Sequence, residues 1–408
     1  MNNKYSIADK YFIIWSFFIP ITSWAIDPNI KGSLVSYLFA FLSPLVILCF
    51  YRNIIKNYIW DILKIILVLT FLALMSQISN LIYNIELTNV ILINPGDYAN
   101  KIFRPSLITQ SIYLIPVILT FLYVKYLYKP TWDKWIVYSG FVFVIYGFFK
   151  WGYFLVMGQD GDFLTNRTFG DSDTVLFPYQ TVVLAGLELQ RFQSLTGEPS
   201  MLAFTLLPYF IFAVHRKVNF TMTVIMGLAL LLSTSSTAYI GIAVYIIYLF
   251  ICSKKNKNFF LSLLGIIIVS CILYGVFTEY IDDVIDKMIV NKADSGSGEA
   301  RQADLLNHID YIMGMDIMHN LFGIGFGYIR SGDLLSTLLV NTGIIGVMIF
   351  TYFYLKDFRI KVGNFIELGN NSILLSLFIV SMVAVSEFSY LSFWLFLAII
   401  RSREKLSI

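Results

Sequence analysis

The sequence predicts an all-α polytopic membrane protein, and three observations carry that prediction. The chain is 58% hydrophobic and only 13% charged. Its mean hydropathy is +0.73. Apolar blocks long enough to cross a hydrocarbon layer of about 30 Å recur along its whole length. Over 408 residues this composition excludes an ordinary soluble domain. The net charge of +3 is no argument for nucleic acid as a partner, because the charges are sorted by side and not gathered in a patch.

Taken in order, the blocks fall near 11–27, 33–50, 59–84, 106–125, 135–157, 200–214, 219–233, 236–252, 259–278, 333–355, 372–386 and 389–400, about twelve spans within a single integral membrane domain, 1–408. Those at 200–214, 219–233, 372–386 and 389–400 are short or poorly separated; one of them as a re-entrant segment would make the count eleven. Lys4 and Lys10, an apolar run from Tyr11, and Ser23-Trp24-Ala25 resemble a signal peptide, but the run is read as a retained first span. Cys49, Cys252 and Cys271 all fall in apolar blocks and are expected to be small buried hydrophobes, not a disulfide framework.

The distribution of Lys and Arg tests the alternation independently. The connections that should share a side with both termini carry 18 of these residues and the opposite set 9, most of them in long loops. Basic residues in short loops stay on the cytoplasmic side, so both termini are expected there. Two long loops, 158–199 and 279–332, then face outward. In the first, the segment 174–190 is apolar but broken by Pro178 and Gly186, which suits an interfacial position. In the second, an amphipathic run, 280–290, precedes a Gly/Ser-rich break at 293–300 and a helix expected over 301–318.

The titratable groups of these loops are the candidate site. Arg301, Asp304, His308 and Tyr311 recur at helical spacing and share a face, which is either a solvated flank or a place to grip an anion. An arginine there suits bidentate binding of a diphosphate. Arg191 precedes Glu198-Pro199, where the pair would cap a helix or present a carboxylate. Arg330 and Asp333 sit at the mouth of the tenth span, as a local ion pair, a cap or substrate ligands. The glycines of 319–327 lack the strand and helix of a nucleotide fold and are read as sites of close backbone packing. Lys150, inside the fifth span, should snorkel outward or line a polar cavity. Asn166-Arg167-Thr168 has the form of a glycosylation acceptor, and 233–237 (STSST) that of a polar hairpin turn.

Three stretches together resemble the Wzy-type O-antigen polymerases, within the group that includes the O-antigen ligases: RFQSLTGEPS from Arg191, LLLSTSSTAYIG from Leu230, and Arg301 followed by HNLFGIGFG, Asp333 and Asn341-Thr342-Gly343. The resemblance covers about 191–346 by motif. It implies a GT-C-like glycosyltransferase of the bacterial inner membrane, with periplasmic long loops. Such an enzyme polymerises oligosaccharide repeat units carried on undecaprenyl diphosphate, beside a flippase and a chain-length regulator. No cofactor or metal is expected, because the histidines are few. Ligases similar to this usually place a His-Asn pair where the tenth span begins; Gly332-Asp333 stands here and favours a polymerase. Ser235 and Ser236 occupy the place of a basic residue often found at the helix junction. On this reading Arg191, Arg301 and Arg330 bind the diphosphate, and Glu198, His308, His319 or Asp333 serves as base. The competing classes are an O-antigen ligase, a multi-span transporter and a polysaccharide flippase.

Overall fold

The computed structural model describes residues 5–30, 32–83, 85, 87, 90, 92–97, 104–167, 180–184, 187–252, 296–360 and 362–404. In chain order the helices are α1 (Ile7–Ser16), α2 (Val35–Phe50), α3 (Ile55–Ile82), α4 (Pro105–Leu127), α5 (Asp133–Met157), α6 (Pro199–Arg216), α7 (Phe220–Leu232) and α8 (Ser236–Cys252). After the undescribed stretch come α9 (Gly296–Met313), α10 (Ile317–Phe322), α11 (Leu334–Leu355), α12 (Phe365–Ala384) and α13 (Leu391–Glu404). Among the described residues, five helical segments are long and apolar enough to cross a membrane: Arg52–Ile82, Pro105–Leu127, Pro130–Met157, Leu334–Leu355 and Phe365–Ala384. Shorter apolar helices stand among them. The ninth expected span, 259–278, and the amphipathic run 280–290 lie outside the described residues.

The packing centres on α6. Pro199 starts it, its missing N–H being one of the donors a first turn leaves unused, and Lys217 ends it in a left-handed conformation at φ 52°. Its residues from Met201 to Tyr209 are all buried, as expected of a helix that is apolar all round. α12, α7, α8 and α5 surround it, while α4 packs on α13 and α2. At the other extreme, α3 exposes Leu63, Leu67, Leu74 and Leu81, the surface a helix presents to lipid.

Polar contacts sort to the two ends of the bundle. One end gathers the short basic connections: Lys129–Asp9 at 2.9 Å, Arg216–Asp133 at 3.1 Å, Lys125–Asp61 at 2.5 Å and Arg401–Asp357 at 2.5 Å. His215 joins α6 to α12 and α8 there, through Phe365 O and the Tyr245 hydroxyl. The other end carries the long loops. Lys150 reaches it and meets Asp162 at 2.9 Å and Asp160 at 3.4 Å, so its charge is neutralised within the protein. Asp162 is drawn below the usual carboxylate range: burial pushes it up, and Lys150 and the Thr165 hydrogen bonds outweigh that.

Several local expectations differ in detail. The first apolar block is helical only over Ile7–Ser16, capped by the reciprocal Ser6–Asp9 pair, and continues as a loop closed by a bridge between Ala25 and Leu34. The segment expected to lie at the interface contains an antiparallel hairpin, β1 (Thr181–Leu184) and β2 (Leu187–Gln190). The helix expected over 301–318 starts earlier, at Gly296, and stops at Met313, because Asp316 caps a separate α10 through the N–H groups of Met318 and His319. Cys49 is exposed, on the outward side of α2. The Asn166 side chain clasps both Ala25 N (2.8 Å) and Ala25 O (2.7 Å), which commits its amide to the fold.

Glycines shape the loop that returns to α11. Gly343, at φ 65°, kinks α11 and frees the carbonyls of Val340 and Asn341, which accept from Ile324 N at 2.9 Å and Gly325 N at 3.0 Å. A Cβ on Gly343 would stand 2.3 Å from Leu321 C, and one on Gly323 2.4 Å from Thr342 N. Of the glycines in 319–327, Gly323 therefore has the backbone of α11 as its close-packing partner, while Gly327 packs against Gln110 and Ser106 O of α4.

Candidate active site

The site grows from the backbone around Arg330. Asn341 on α11 clasps Ile329 on one side, accepting from its N–H at 3.1 Å and donating to its carbonyl at 2.8 Å. Thr337, one turn earlier, accepts from Ser331 N at 3.0 Å. Ile329 also bridges to Leu92, and Ile93 N donates to Tyr328 O at 2.9 Å. Arg104 lies 3.5 Å over the Tyr328 ring and donates to Phe326 O. With both neighbours and the preceding loop fixed, the Arg330 side chain projects into a cavity.

That cavity has a volume of about 480 Å³, within the usual range for a ligand site. α3, α4, α11, α13 and the turn 385–390 contribute to its wall. Along α4 it runs from Gln110 to Lys125, which at 1.5 Å per residue is about 22 Å. Ile65, Leu69, Leu114, Ile118, Ile349 and Phe350 make its middle apolar. The loop end holds Arg330, Arg167 and Glu387; the opposite end holds Asp61, Lys125, Lys356 and Arg401.

Arg167 is held as firmly as Arg330. Its N–H and that of Asn166 donate to Ser23 O at 3.2 Å, its Nη1 donates to Thr22 O at 3.1 Å, and its guanidinium lies 5.8 Å from the centre of the Tyr113 ring. Arg330 forms an ion pair with Glu387. Its side chain is 51% exposed because it borders the cavity. Desolvation draws its guanidinium below the usual arginine range, and Arg167 adds to this as a like charge, while Tyr390, Glu198 and Tyr113 oppose it. Two cations thus border one largely apolar cavity, close enough for Arg167 to act on the charge of Arg330, an arrangement that favours a multiply charged anion.

The other expected site residues are placed as follows. Arg191 points away from this cavity into the α7–α8 junction: Nε donates to Thr234 Oγ1 at 2.9 Å, Nη2 to Thr234 O at 3.0 Å and Nη1 to Gln180 Oε1 at 2.5 Å. Glu198 occupies the N-cap position of α6 without a capping bond; its carboxylate accepts from Ser200 Oγ at 3.0 Å and lies near enough to Arg330 to act on its charge. Asp333 caps α11, accepting from Ser336 N at 2.7 Å and Ser336 Oγ at 2.8 Å. His319 is fully buried, with Nδ1 on Asp316 and Nε2 2.8 Å from Asn80 Oδ1, which ties α10 to α3. His308 is 4% exposed on α9, and burial holds it below the ordinary imidazole value against the pull of Asp304 and Asp333. The backbone of Arg301 belongs to α9, and its side chain lies outside the described residues.

Arg167 and Glu387 were missed in the sequence. Arg167 stood in it only as part of a glycosylation-like triplet, and Glu387 as a residue between two apolar blocks. The available signal was electrostatic: an arginine on the side where basic residues are scarce, and a carboxylate in a connection too short to need one.

Residues 221–337 match a family model described as O-antigen ligase. No curated protein and no solved structure matches the chain. The matched stretch contains Arg301, His308, His319, Arg330 and Asp333, and it ends on the first turn of α11 that positions Arg330. Over residues 221–337 the chain is therefore similar to the family described as O-antigen ligase, which is consistent with the O-antigen polymerase/ligase group.

Proposed function

We propose that the protein is an O-antigen or related surface-polysaccharide polymerase, transferring a growing glycan from undecaprenyl diphosphate to the non-reducing end of a new lipid-linked repeat unit. The observation that carries this reading is a cavity that runs about 22 Å along α4, with Arg167 and Arg330 at its loop end and an apolar middle next to them. A lipid diphosphate has that sequence of chemistries: a dense anion followed by an isoprenoid tail. The two guanidiniums bind the diphosphate and stabilise the charge it gains as it leaves, while the apolar wall takes the first isoprene units. Arg191 supports the scaffold on this reading, and Arg301 remains a candidate third cation from α9.

The long-loop end is then periplasmic and the basic end cytoplasmic, both termini included, in the inner membrane. A flippase supplies the lipid-linked unit and a chain-length regulator acts on the product. The description of the matching family favours a second reading, an O-antigen ligase; Gly332-Asp333 in place of a His-Asn pair favours the polymerase.

Deleting the gene and resolving the surface polysaccharide on a gel separates the two. A polymerase deletion leaves single repeat units attached to the core, whereas a ligase deletion leaves none attached and polymer on the carrier lipid. Returning the Arg330→Ala chain should restore less than a hundredth of the wild-type product, as expected from removing one charged donor to a leaving group. Full-length polymer from that variant would remove Arg330 from the mechanism.

A further inference from the structure

We propose that Glu387, in the turn between α12 and α13, is the general base of the transfer, held in reserve by Arg330 until a diphosphate takes its place. The inference rests on the function proposed above and names the residue it lacks.

The argument begins with position. Among the described residues, the carboxylates bordering the cavity are Asp61 and Glu387, and no histidine borders it. Asp61 stands at the opposite end, bound by Lys125 and the Tyr126 hydroxyl. Asp333 is engaged as a cap, and both ring nitrogens of His319 are engaged in the scaffold. Glu198 also acts on the charge of Arg330, but it accepts from Ser200 Oγ and does not border the cavity, which leaves Glu387 as the carboxylate that borders it beside the cations.

Its two oxygens are held differently. Oε1 pairs with Arg330, while Oε2 accepts from Ser389 Oγ at 2.9 Å. The turn itself is fixed from outside: Tyr37 donates to Ser389 O at 2.8 Å, Trp394 to Phe388 O at 2.7 Å, and the Phe388 ring packs on Phe326. When a phosphate group takes the Arg330 guanidinium, Oε1 loses its partner but the carboxylate stays in place through Oε2. A neighbouring phosphate charge also favours the protonated carboxyl, so substrate binding turns a counter-ion into a proton acceptor.

The step balances. The acceptor hydroxyl gives its proton to Glu387 Oε1, and its oxygen forms the new bond to the anomeric carbon. The bond from that carbon to the diphosphate oxygen breaks, and its electron pair leaves with the diphosphate, held by Arg330 and Arg167. Glu387 returns the proton to solvent once undecaprenyl diphosphate departs.

The test uses the purified full chain with two readouts: binding of inorganic pyrophosphate, and transfer measured on lipid-linked saccharide extracted from cells deleted for this chain. Glu387→Gln should lower transfer by about 10²–10⁴-fold, the usual contribution of a general base, while binding pyrophosphate at least as tightly as wild type, since the competing carboxylate is gone. Glu387→Asp, which keeps the acid, should recover part of the rate. Wild-type transfer by Glu387→Gln overturns the proposal, as does a parallel loss of binding and transfer, which would make Glu387 only a seat for Arg330. Equal losses in the Gln and Asp variants also overturn it. A wild-type chain that neither binds pyrophosphate nor transfers saccharide overturns the parent reading as well, so the two failures are distinguishable.

Discussion

Replacing Arg191 by alanine separates a scaffold role from a substrate role. The guanidinium donates at 2.9 Å and 3.0 Å to Thr234, at 2.5 Å to Gln180 and at 3.4 Å to the Ser233 carbonyl. Thr234 is 8% exposed and holds a left-handed φ of 47°, so the α7–α8 junction is a strained turn fastened by this side chain. A hydrogen bond from a charged donor contributes about 1.5–3 kcal/mol. Two good ones to Thr234, discounted for the partial exposure of the arginine, give a loss of about 2–4 kcal/mol. In thermal unfolding of the detergent-solubilised chain, followed by circular dichroism at one scan rate, the apparent midpoint should fall on the order of 5 °C. Transfer should fall only as far as the folded fraction does. An unchanged midpoint with abolished transfer would refute this and move Arg191 to the diphosphate.

Two further substitutions probe the frame of the site. Gly343→Ala places a Cβ 2.3 Å from Leu321 C at a left-handed φ, and the loss should be about 3 kcal/mol or more; size-exclusion recovery of folded protein should collapse. Gly152→Ala, whose Cβ meets nothing within 4 Å, is the matched control and should leave recovery intact. The docking of α9 should depend on pH through His308. Burial lowers its folded value below 6.5, so folding favours the neutral ring; the stabilisation is complete above the unfolded value and is lost as pH falls through 6.5 towards the folded one. Thermal midpoints measured from pH 7.5 to 5 should decline in wild type and decline less in His308→Gln.

The sequence by itself determined the class of the molecule and the gathering of its basic connections at one end. Apolar blocks repeated at bilayer length leave a backbone no option but helices that satisfy their own hydrogen bonds, and the sorting of Lys and Arg anticipated which connections would meet, as the pairs Lys129–Asp9, Arg216–Asp133 and Arg401–Asp357 at one end show. It also marked Arg330 and Asp333 as candidates at the mouth of the returning helix, between a local ion pair, a cap and a substrate role. What it left open was the division of labour among residues of equal chemistry. Arg191, Arg330 and Arg167 are alike in one dimension; the kink at Gly343 and the Asn341 clasp aim Arg330 into the cavity, while the left-handed turn at Thr234 draws Arg191 away. Glu387, 57 positions beyond Arg330, meets it only because α11 and α12 carry the chain across the bundle and back. Helical period and hydropathy are local properties of a chain, whereas a charged pair across a cavity is fixed by how distant helices pack, and that is settled in three dimensions alone.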